Sequence, residues 1–152
     1  KRGLGLENQS RIMRRKKQKK NRVMVFGTFD VLHPGHIHFL REAKRQGDYL
    51  IVSIAREKFV KKIKGRKPLH SERDRKKLLE ALKLVDKVVL GSKEDYLKHI
   101  LRERPDVIVL GYDQRAFTGG LKEKLARAGL KVKIVRAGPY KSHYYKSSRL
   151  LR

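Results

Sequence analysis

Cysteine is absent from this chain of 152 residues. Its absence excludes a disulfide framework, a thiolate zinc site and a cysteine nucleophile. Long apolar runs are also missing: the longest have the length of a strand, so the sequence predicts no membrane-spanning helix. The first residues lack the apolar core of a secretory signal, and the cytoplasm is therefore the expected compartment.

Acidic residues are scarce, with 15 Asp and Glu against 41 Lys and Arg and a formal net charge of +26. Such a charge creates a field that attracts nucleotides, phosphates, nucleic acids or acidic membranes. Ten of the basic residues lie in 1–22, against Glu7 alone. We therefore expect a basic N-terminal arm over 1–21 and a domain, itself basic, over 22–152. Lysine-rich surfaces also occur in heat-adapted proteins and favour solubility, so charge alone does not identify a partner.

From residue 23 onward, short β-branched runs alternate with stretches of helical periodicity. This alternation predicts an α/β fold: a single Rossmann-like, doubly wound parallel sheet of about five strands with helices on both faces. Strands are expected over 23–26, 49–55, 87–90, 107–110 and 132–135. Helices are expected over 34–46, from 71, over 96–102 and over 121–128, with a short last helix near Ser147. Residues 56–70 are predicted to be irregular, because Gly65 and Pro68 interrupt any helix.

Sheets of this kind bind ligands beyond the carboxyl ends of their strands. Three segments directly follow a predicted apolar strand and carry polar residues, namely 27–36, 91–94 and 111–115. Because parallel strands bring their carboxyl ends to one edge of the sheet, we expect these segments to border a single site there.

The first of these segments reads Gly-Thr-Phe-Asp-Val-Leu-His-Pro-Gly-His over residues 27–36. Gly27 permits close approach of a ligand to the backbone, and Pro34 suits the first turn of a helix. The N-terminus of that helix directs free N–H groups and a partial positive charge above the strand. His33 and His36, one helical turn apart, flank this point and suit the charge that develops on a phosphoryl group during transfer.

Other interpretations of the two histidines stay open. They could cap the helix or lie on its surface, and a His-x-x-His pair alone is weak support for a function. A zinc site is a weaker interpretation, because without cysteine a third ligand would have to come from elsewhere in the fold. We therefore predict no metal-ligating residue. His38 falls on another face of the helix and is expected to pack or to be a bystander.

Residues 27–36 resemble the signature of the nucleotidyltransferase superfamily, which includes cytidylyltransferases, pantetheine-phosphate adenylyltransferase and class I tRNA synthetases. Further segments resemble the FAD synthases of archaea, which join FMN to the AMP part of ATP. These segments are Gly65-Arg66-Lys67-Pro68, Leu82-Lys83-Leu84-Val85-Asp86, Val89-Leu90-Gly91-Ser92 and 105–114. The resemblance extends over about residues 22–152. It implies the small-molecule substrates ATP and FMN, with Mg²⁺ or another divalent cation on the triphosphate, and no membrane partner. A homodimer is one implied arrangement, although no apolar seam marks an interface.

The resemblance also implies roles for individual residues, with His33 and His36 as the catalytic pair. The residues implied to bind the nucleotide are Gly27, Thr28, Phe29, His33, Pro34, Gly35, His36 and Asp113. Those implied to contact phosphate or acceptor are Arg75, Ser147 and one lysine, Lys62, of a basic segment that also offers Lys61 and Lys64. We add Tyr140 to the nucleotide-binding set, because an aromatic face after the last strand suits a flat adenine or isoalloxazine ring.

Several of these residues have structural alternatives. Arg75 could be solvated on its helix, Asp113 could serve only the turn, Ser147 could cap a helix, and Tyr140 could close the edge of the core. The chain also lacks the Arg-Thr-x-Gly-Ile-Ser-Thr-Thr segment of the cytidylyltransferases. This departure disfavours CTP as the nucleotide.

Two alternatives to adenylyl transfer remain. One is CTP-dependent cytidylyl transfer to glycerol 3-phosphate or a similar phosphorylated polyol. The other is a nucleic-acid-binding protein on the same fold, in which the basic arm contacts backbone phosphates. That alternative predicts binding that weakens steeply as salt rises and is lost when residues 1–20 are deleted.

Overall fold

A computed structural model of the chain describes residues 19–92, 95–114 and 119–140. Within them the strands are β1 (Arg22–Gly27), β2 (Tyr49–Ile54), β3 (Lys87–Leu90), β4 (Val107–Leu110) and β5 (Lys133–Arg136). The helices are α1 (Pro34–Lys44), α2 (Glu57–Lys64), α3 (Glu72–Glu80), α4 (Tyr96–Glu103) and α5 (Leu121–Arg127). Most of the expected basic arm and the expected last helix near Ser147 lie outside the described residues.

All neighbouring strands of the sheet are parallel, in the order β3-β2-β1-β4-β5. Strand order reverses at β1, which places a topological switch point between β1 and β4. The described pairing of β1 with β4 covers two residue pairs, Val23 with Val107 and Met24 with Ile108. Beyond them the two strands separate toward their carboxyl ends. The predicted α/β parallel sheet of five strands is confirmed.

Both faces of the sheet are covered, as the sequence predicts. Val23 and Val25 of β1 pack against α1 and α3, whereas Met24 and Phe26 pack against α4 and α5. Because both of its faces are buried, β1 is a continuous apolar run. No helix in the described part of the chain has the length and apolar character needed to cross a membrane.

The prediction that 56–70 is irregular is wrong over Glu57–Lys64, which form α2. Gly65 does end the helix, with φ of 73° in the left-handed region. The start of α2 is fixed by a distant residue: Glu57 N donates to Glu72 Oε1 at 3.0 Å, and Glu72 N donates to Glu57 Oε1 at 3.2 Å. The first residues of α2 and α3 thus cap each other, which a local reading of the sequence does not reveal.

Aspartates repeat along the amino edge of the sheet, each placed directly before a strand. Their carboxylates accept hydrogen bonds of 2.8–3.0 Å from a backbone N–H at the start of a neighbouring strand. The pairs are Asp48 with Asn21, Asp106 with Arg22, and Asp86 with Leu50. Burial raises the pKa of Asp86, but hydrogen bonds from Lys44 and Leu50 outweigh it, so the pKa lies below its usual value. These carboxylates join the strands at the edge opposite the predicted site.

Candidate active site

The opening between β1 and β4 is bridged by the side chain of Gln114. Its Nε2 donates to the carbonyl of Phe26 at 2.7 Å, and its Oε1 accepts from the N–H of Gly111 at 2.8 Å. Arg136, at the end of β5, donates to the carbonyls of Gly111 and Gln114, both at 2.8 Å. The turn after β4 is therefore fixed on one side of the switch point. Asp113, the expected nucleotide contact, lies exposed on this turn.

The turn after β1 forms the other side and has an unusual backbone. Phe29 has φ of 49°, in the left-handed region that bulky residues rarely adopt. Its buried ring packs over Gly27, where an added Cβ would lie 2.6 Å from the ring atom Cε2. Such a conformation costs about 1–2 kcal/mol and persists where surrounding contacts impose it, often at functional sites. Gly27 is thus required by the Phe29 ring.

Asp30 supports this turn from within the protein. Its buried carboxylate accepts hydrogen bonds from the backbone N–H groups of Leu69 at 2.8 Å and His70 at 3.0 Å. In return, the His70 ring nitrogen Nδ1 lies 2.7 Å from the carbonyl of Asp30. The segment before α3 is therefore attached directly to the turn after β1.

Arg75 of α3 supports the same turn and is 0% exposed. Its Nη1 donates to the carbonyls of Thr28 at 2.9 Å and Ala55 at 2.7 Å, and its Nε donates to the carbonyl of His70 at 3.1 Å. Within the described residues its Nη2 is buried with no hydrogen-bond partner. This burial argues against the expected contact with triphosphate or acceptor, and equally against a solvated side chain. In this structure Arg75 holds the backbone of Thr28.

His33 and His36 stand together at the N-terminus of α1. His33 precedes the helix, and its Nδ1 accepts from the backbone N–H of His36 at 3.4 Å, while Pro34 occupies the first turn. The two imidazoles are stacked, with centroids 3.7 Å apart and planes inclined by 19°. Phe29 packs edge-on against His36 with its centroid at 5.2 Å. Because Nδ1 of His33 accepts a hydrogen bond, the proton of the neutral ring lies on Nε2, which can donate.

Both imidazoles are neutral at neutral pH. Burial lowers the pKa of His33. Burial, and then the charges of His33 and Lys64, lower the pKa of His36 to about 3, with the backbone of Val31 acting in the opposite direction. The pair can therefore offer hydrogen bonds to phosphate oxygens without carrying a charge. Positive charge at this site comes from the N-terminus of α1 and from neighbouring lysines.

One lysine of α2 acts on the histidine pair. Lys64 is the member of the predicted set whose charge acts on His36. Lys62 is exposed and stands two residues earlier, about 200° around the helix from Lys64. The geometry therefore favours Lys64 over Lys62 for a place beside the histidines, with Lys61 on the same side as Lys64.

Tyr140 lies against α1. Its ring stacks on His38, with centroids 4.6 Å apart and planes inclined by 17°. His38 thus packs, which is one of the two outcomes expected for it. The remaining predicted contact, Ser147, lies outside the described residues. Gly35 is placed with Pro34 in the first turn of α1, beside the two histidines.

A metal site was the alternative role for the histidine pair. The described part of the chain contains no group of three or more His, Asp or Glu side chains that could hold a metal ion.

A model of the family described as cytidylyltransferase-like matches residues 24–152. The chain belongs to the cytidylyltransferase-like family. The match includes the turn after β1, both histidines and all five strands apart from the first two residues of β1.

Relatives of this cytidylyltransferase-like chain include FAD synthases. That of Ferroglobus placidus is 50% identical over 106 residues, which is 70% of this chain and 68% of the relative. That of Thermococcus sibiricus is 42% identical over 138 residues, which is 90% of this chain and 93% of the relative. The solved structure of the lipopolysaccharide core biosynthesis protein from Thermoplasma volcanium is 41% identical, with a TM-score of 0.76, and the match covers 81% of this chain and 100% of that one. The predicted membership of the nucleotidyltransferases, with similarity to archaeal FAD synthases, is confirmed.

Three side chains that shape this cytidylyltransferase-like site are missed by the sequence analysis: Asp30, Gln114 and Arg136. Asp30 and Gln114 lie in segments that follow apolar strands, and that position was the available signal for both. Arg136 gives no such signal, because it is one cation among many and its partners are backbone carbonyls.

Proposed function

We propose that this chain is an FMN adenylyltransferase, which transfers the AMP part of ATP to FMN and yields FAD and pyrophosphate. The observation that carries the proposal is the stacked, neutral pair of His33 and His36 at a helix N-terminus over the switch point of a parallel sheet. The choice of product is supported by relatives named FAD synthase at 42–51% identity.

The reaction is an in-line displacement at the α-phosphorus of ATP. An oxygen of the FMN phosphate forms the new P–O bond, while the bond to the β-phosphate oxygen breaks and its electron pair leaves with pyrophosphate. The second pKa of a phosphate monoester is about 6, so the attacking phosphate is already ionised near neutral pH. No side chain has to remove a proton, and the protein contributes positioning and charge stabilisation.

The two histidines would donate to phosphate oxygens on which negative charge grows in the transition state. The backbone N–H of Gly35, in the first turn of α1, would face the same oxygens without reorganisation during the reaction. Lys64, and Lys62 farther around α2, would neutralise the triphosphate. Thr28 and Phe29 would contact the nucleotide through a backbone that Arg75 holds in place. Asp113 would contact its ribose or base from the turn after β4.

The divalent cation would arrive with ATP as part of the substrate. Mg²⁺ binds phosphate oxygens and keeps several of its waters, so it needs few ligands from the protein. Its charge would assist departure of pyrophosphate.

The proposal is tested by incubating the protein with Mg²⁺, with either ATP or CTP, and with either FMN or glycerol 3-phosphate. Pyrophosphate release is followed, and the products are separated by chromatography. We expect release with ATP and FMN together, with FAD as the product. Release confined to CTP and glycerol 3-phosphate would establish the cytidylyltransferase alternative instead. Absence of release in all four mixtures would overturn both assignments.

A further inference from the structure

An open cleft runs along the flank of α1 that faces the end of α3. Its volume is about 560 Å³, within the range of 300–1,000 Å³ that is usual for ligand pockets. Most of its lining is apolar, with a few polar side chains among it. The lining residues are Leu32, His33, Pro34, Ile37, His38, Arg41, Leu82 and Tyr140.

The cleft is continuous with the catalytic site because His33 belongs to both. At its other end stands Arg41, eight residues along α1, which corresponds to roughly 12 Å of helix. A molecule with its phosphate beside His33 can therefore extend along α1 as far as Arg41. The adenine of ATP is expected elsewhere, at the switch point bordered by residues 111–114, so this cleft suits the acceptor.

One wall of the cleft is aromatic, and Glu42, which does not line the cleft, fixes its position. The rings of His38 and Tyr140 are stacked 4.6 Å apart. Glu42 fixes both sides of the stack: its Oε1 lies 2.8 Å from Nε2 of His38, and its Oε2 accepts from the N–H of Gly138 at 3.3 Å, two residues before Tyr140. A wall fixed in this way loses little side-chain freedom when a flat ring binds to it.

We propose that this cleft binds the isoalloxazine ring of FMN, with the ring against Tyr140 and Ile37 and its polar edge at Arg41. Apolar and aromatic walls match the faces of the flavin, and a guanidinium matches the carbonyl and ring-nitrogen acceptors along its pyrimidine edge. The assignment rests on the proposed function, since it supplies the acceptor side of that reaction. It makes Arg41 and Ile37 determinants of specificity for a flavin over a polyol phosphate.

The test compares the unaltered protein with Arg41→Gln, Ile37→Glu and the control Arg45→Gln. Both arginines are exposed: Arg41 lies in the last turn of α1, and Arg45 follows one turn later as its C-cap. Arg45 does not line the cleft. Two quantities are measured for each protein: the Kd for FMN without ATP, from quenching of flavin fluorescence, and the KM values for FMN and ATP. Thermal melting confirms that each variant is folded.

We expect Arg41→Gln to raise both the Kd and the KM for FMN by about tenfold, the effect of losing one charge-assisted hydrogen bond. Ile37→Glu should raise them at least as much, because it places a carboxylate in an apolar wall. The KM for ATP should stay within about twofold in both variants, and Arg45→Gln should resemble the unaltered protein in every measurement.

Unchanged FMN binding in folded Arg41→Gln and Ile37→Glu, with FAD still formed, would overturn the cleft assignment and leave the proposed function standing. The variants could instead change the oligomeric state, measured by sedimentation, and leave FMN affinity unchanged. That result would identify the cleft as an interface between two copies and would also overturn the cleft assignment. If the unaltered protein forms no FAD, the proposed function fails and the flavin assignment fails with it.

Discussion

The two edges of the sheet differ in how they use charge. At the amino edge, aspartates placed before successive strands accept backbone hydrogen bonds in a repeated arrangement, and Asp86 and Asp106 are also paired with lysines. At the carboxyl edge, the guanidinium of Arg75 and the carboxylate of Asp30 are buried under the turn, and two histidines are kept neutral. One edge contains ordinary stabilising contacts, and the other contains groups that are unfavourable to bury.

This difference separates stability from function along a single sheet. Each carboxylate contact at the amino edge should contribute about 1 kcal/mol. At the carboxyl edge, the left-handed Phe29 and the neutral histidines cost stability, and they persist because Arg75 and Asp30 hold the turn. Substitutions at the amino edge should therefore lower stability with little effect on turnover, whereas substitutions at the carboxyl edge should lower turnover.

The largest effect is expected from His36→Ala. The variant should lose a donor that acts mainly in the transition state, and kcat should fall by about 10²–10³, or about 3–4 kcal/mol. The Kd for ATP should change far less, and calorimetric titration can measure it. Near-normal turnover in both His36→Ala and His33→Ala would show that the motif is misassigned.

At the opposite edge, Asp106→Ala should lower the free energy of unfolding by about 1–2 kcal/mol with kcat nearly unchanged.

Arg75→Met should affect stability and activity together. Three backbone carbonyls, including that of Thr28, lose their donor, so we expect the free energy of unfolding to fall by about 3 kcal/mol. Urea denaturation measures this loss, and the KM for ATP should rise because the turn is no longer fixed.

Arg73→Met is the matched control, since Arg73 is an exposed arginine on the same helix. It should change neither the free energy of unfolding nor the KM for ATP. If Arg75→Met proved as stable as this control yet bound ATP poorly, Arg75 would have to contact the triphosphate directly, which is one of the two contacts that the family resemblance implies.

A smaller effect should appear on acidification, and it should begin at the carboxyl edge. The pKa of His36 is lowered from 6.5 to about 3, and that of His33 is also lowered. The unfolded chain therefore takes up protons that the folded chain does not, and stability declines as pH falls from 6.5 toward about 3. The pKa of Asp86 is lowered from 3.8, so its contribution is lost only at lower pH.

Urea midpoints measured between about pH 7 and pH 5 distinguish these two sources of acid sensitivity. Replacement of His36 by Gln should flatten the decline in this interval, whereas Asp86→Asn should leave its slope unchanged. An equally steep decline in His36→Gln would show that His36 already binds a proton in the folded protein.

The strands and the helices α1 and α3 could be predicted because their signals are local. The strands are apolar runs buried on both faces, and α1 begins at a proline after His33. Helix α3 was likewise predicted from Ser71, whose hydroxyl accepts from the N–H of Asp74 at 3.1 Å. In each case neighbouring residues contain the determinant of the structure.

The remaining features depend on contacts between distant parts of the chain. The start of α3 contains Arg73, Arg75, Lys76 and Lys77 in close succession. Arg75 lies four residues before Leu79, on the apolar side of the helix, but the carbonyls of Thr28 and Ala55 that it binds are distant in sequence. Packing of α3 against the turn after β1 decides which of these cations is buried. The start of α2 depends in the same way on Glu72, which is fifteen residues from Glu57.

The reciprocal capping of Glu57 and Glu72 has a consequence for motion. Helix α2 carries Lys64, and α3 carries Arg75, so the pair of hydrogen bonds connects the lysine whose charge acts on His36 to the arginine that holds Thr28. We therefore expect a shift of α2 to be transmitted to α3, and through Arg75 to the carbonyl of Thr28. If a triphosphate draws Lys64 toward it, the same connection would align the turn after β1.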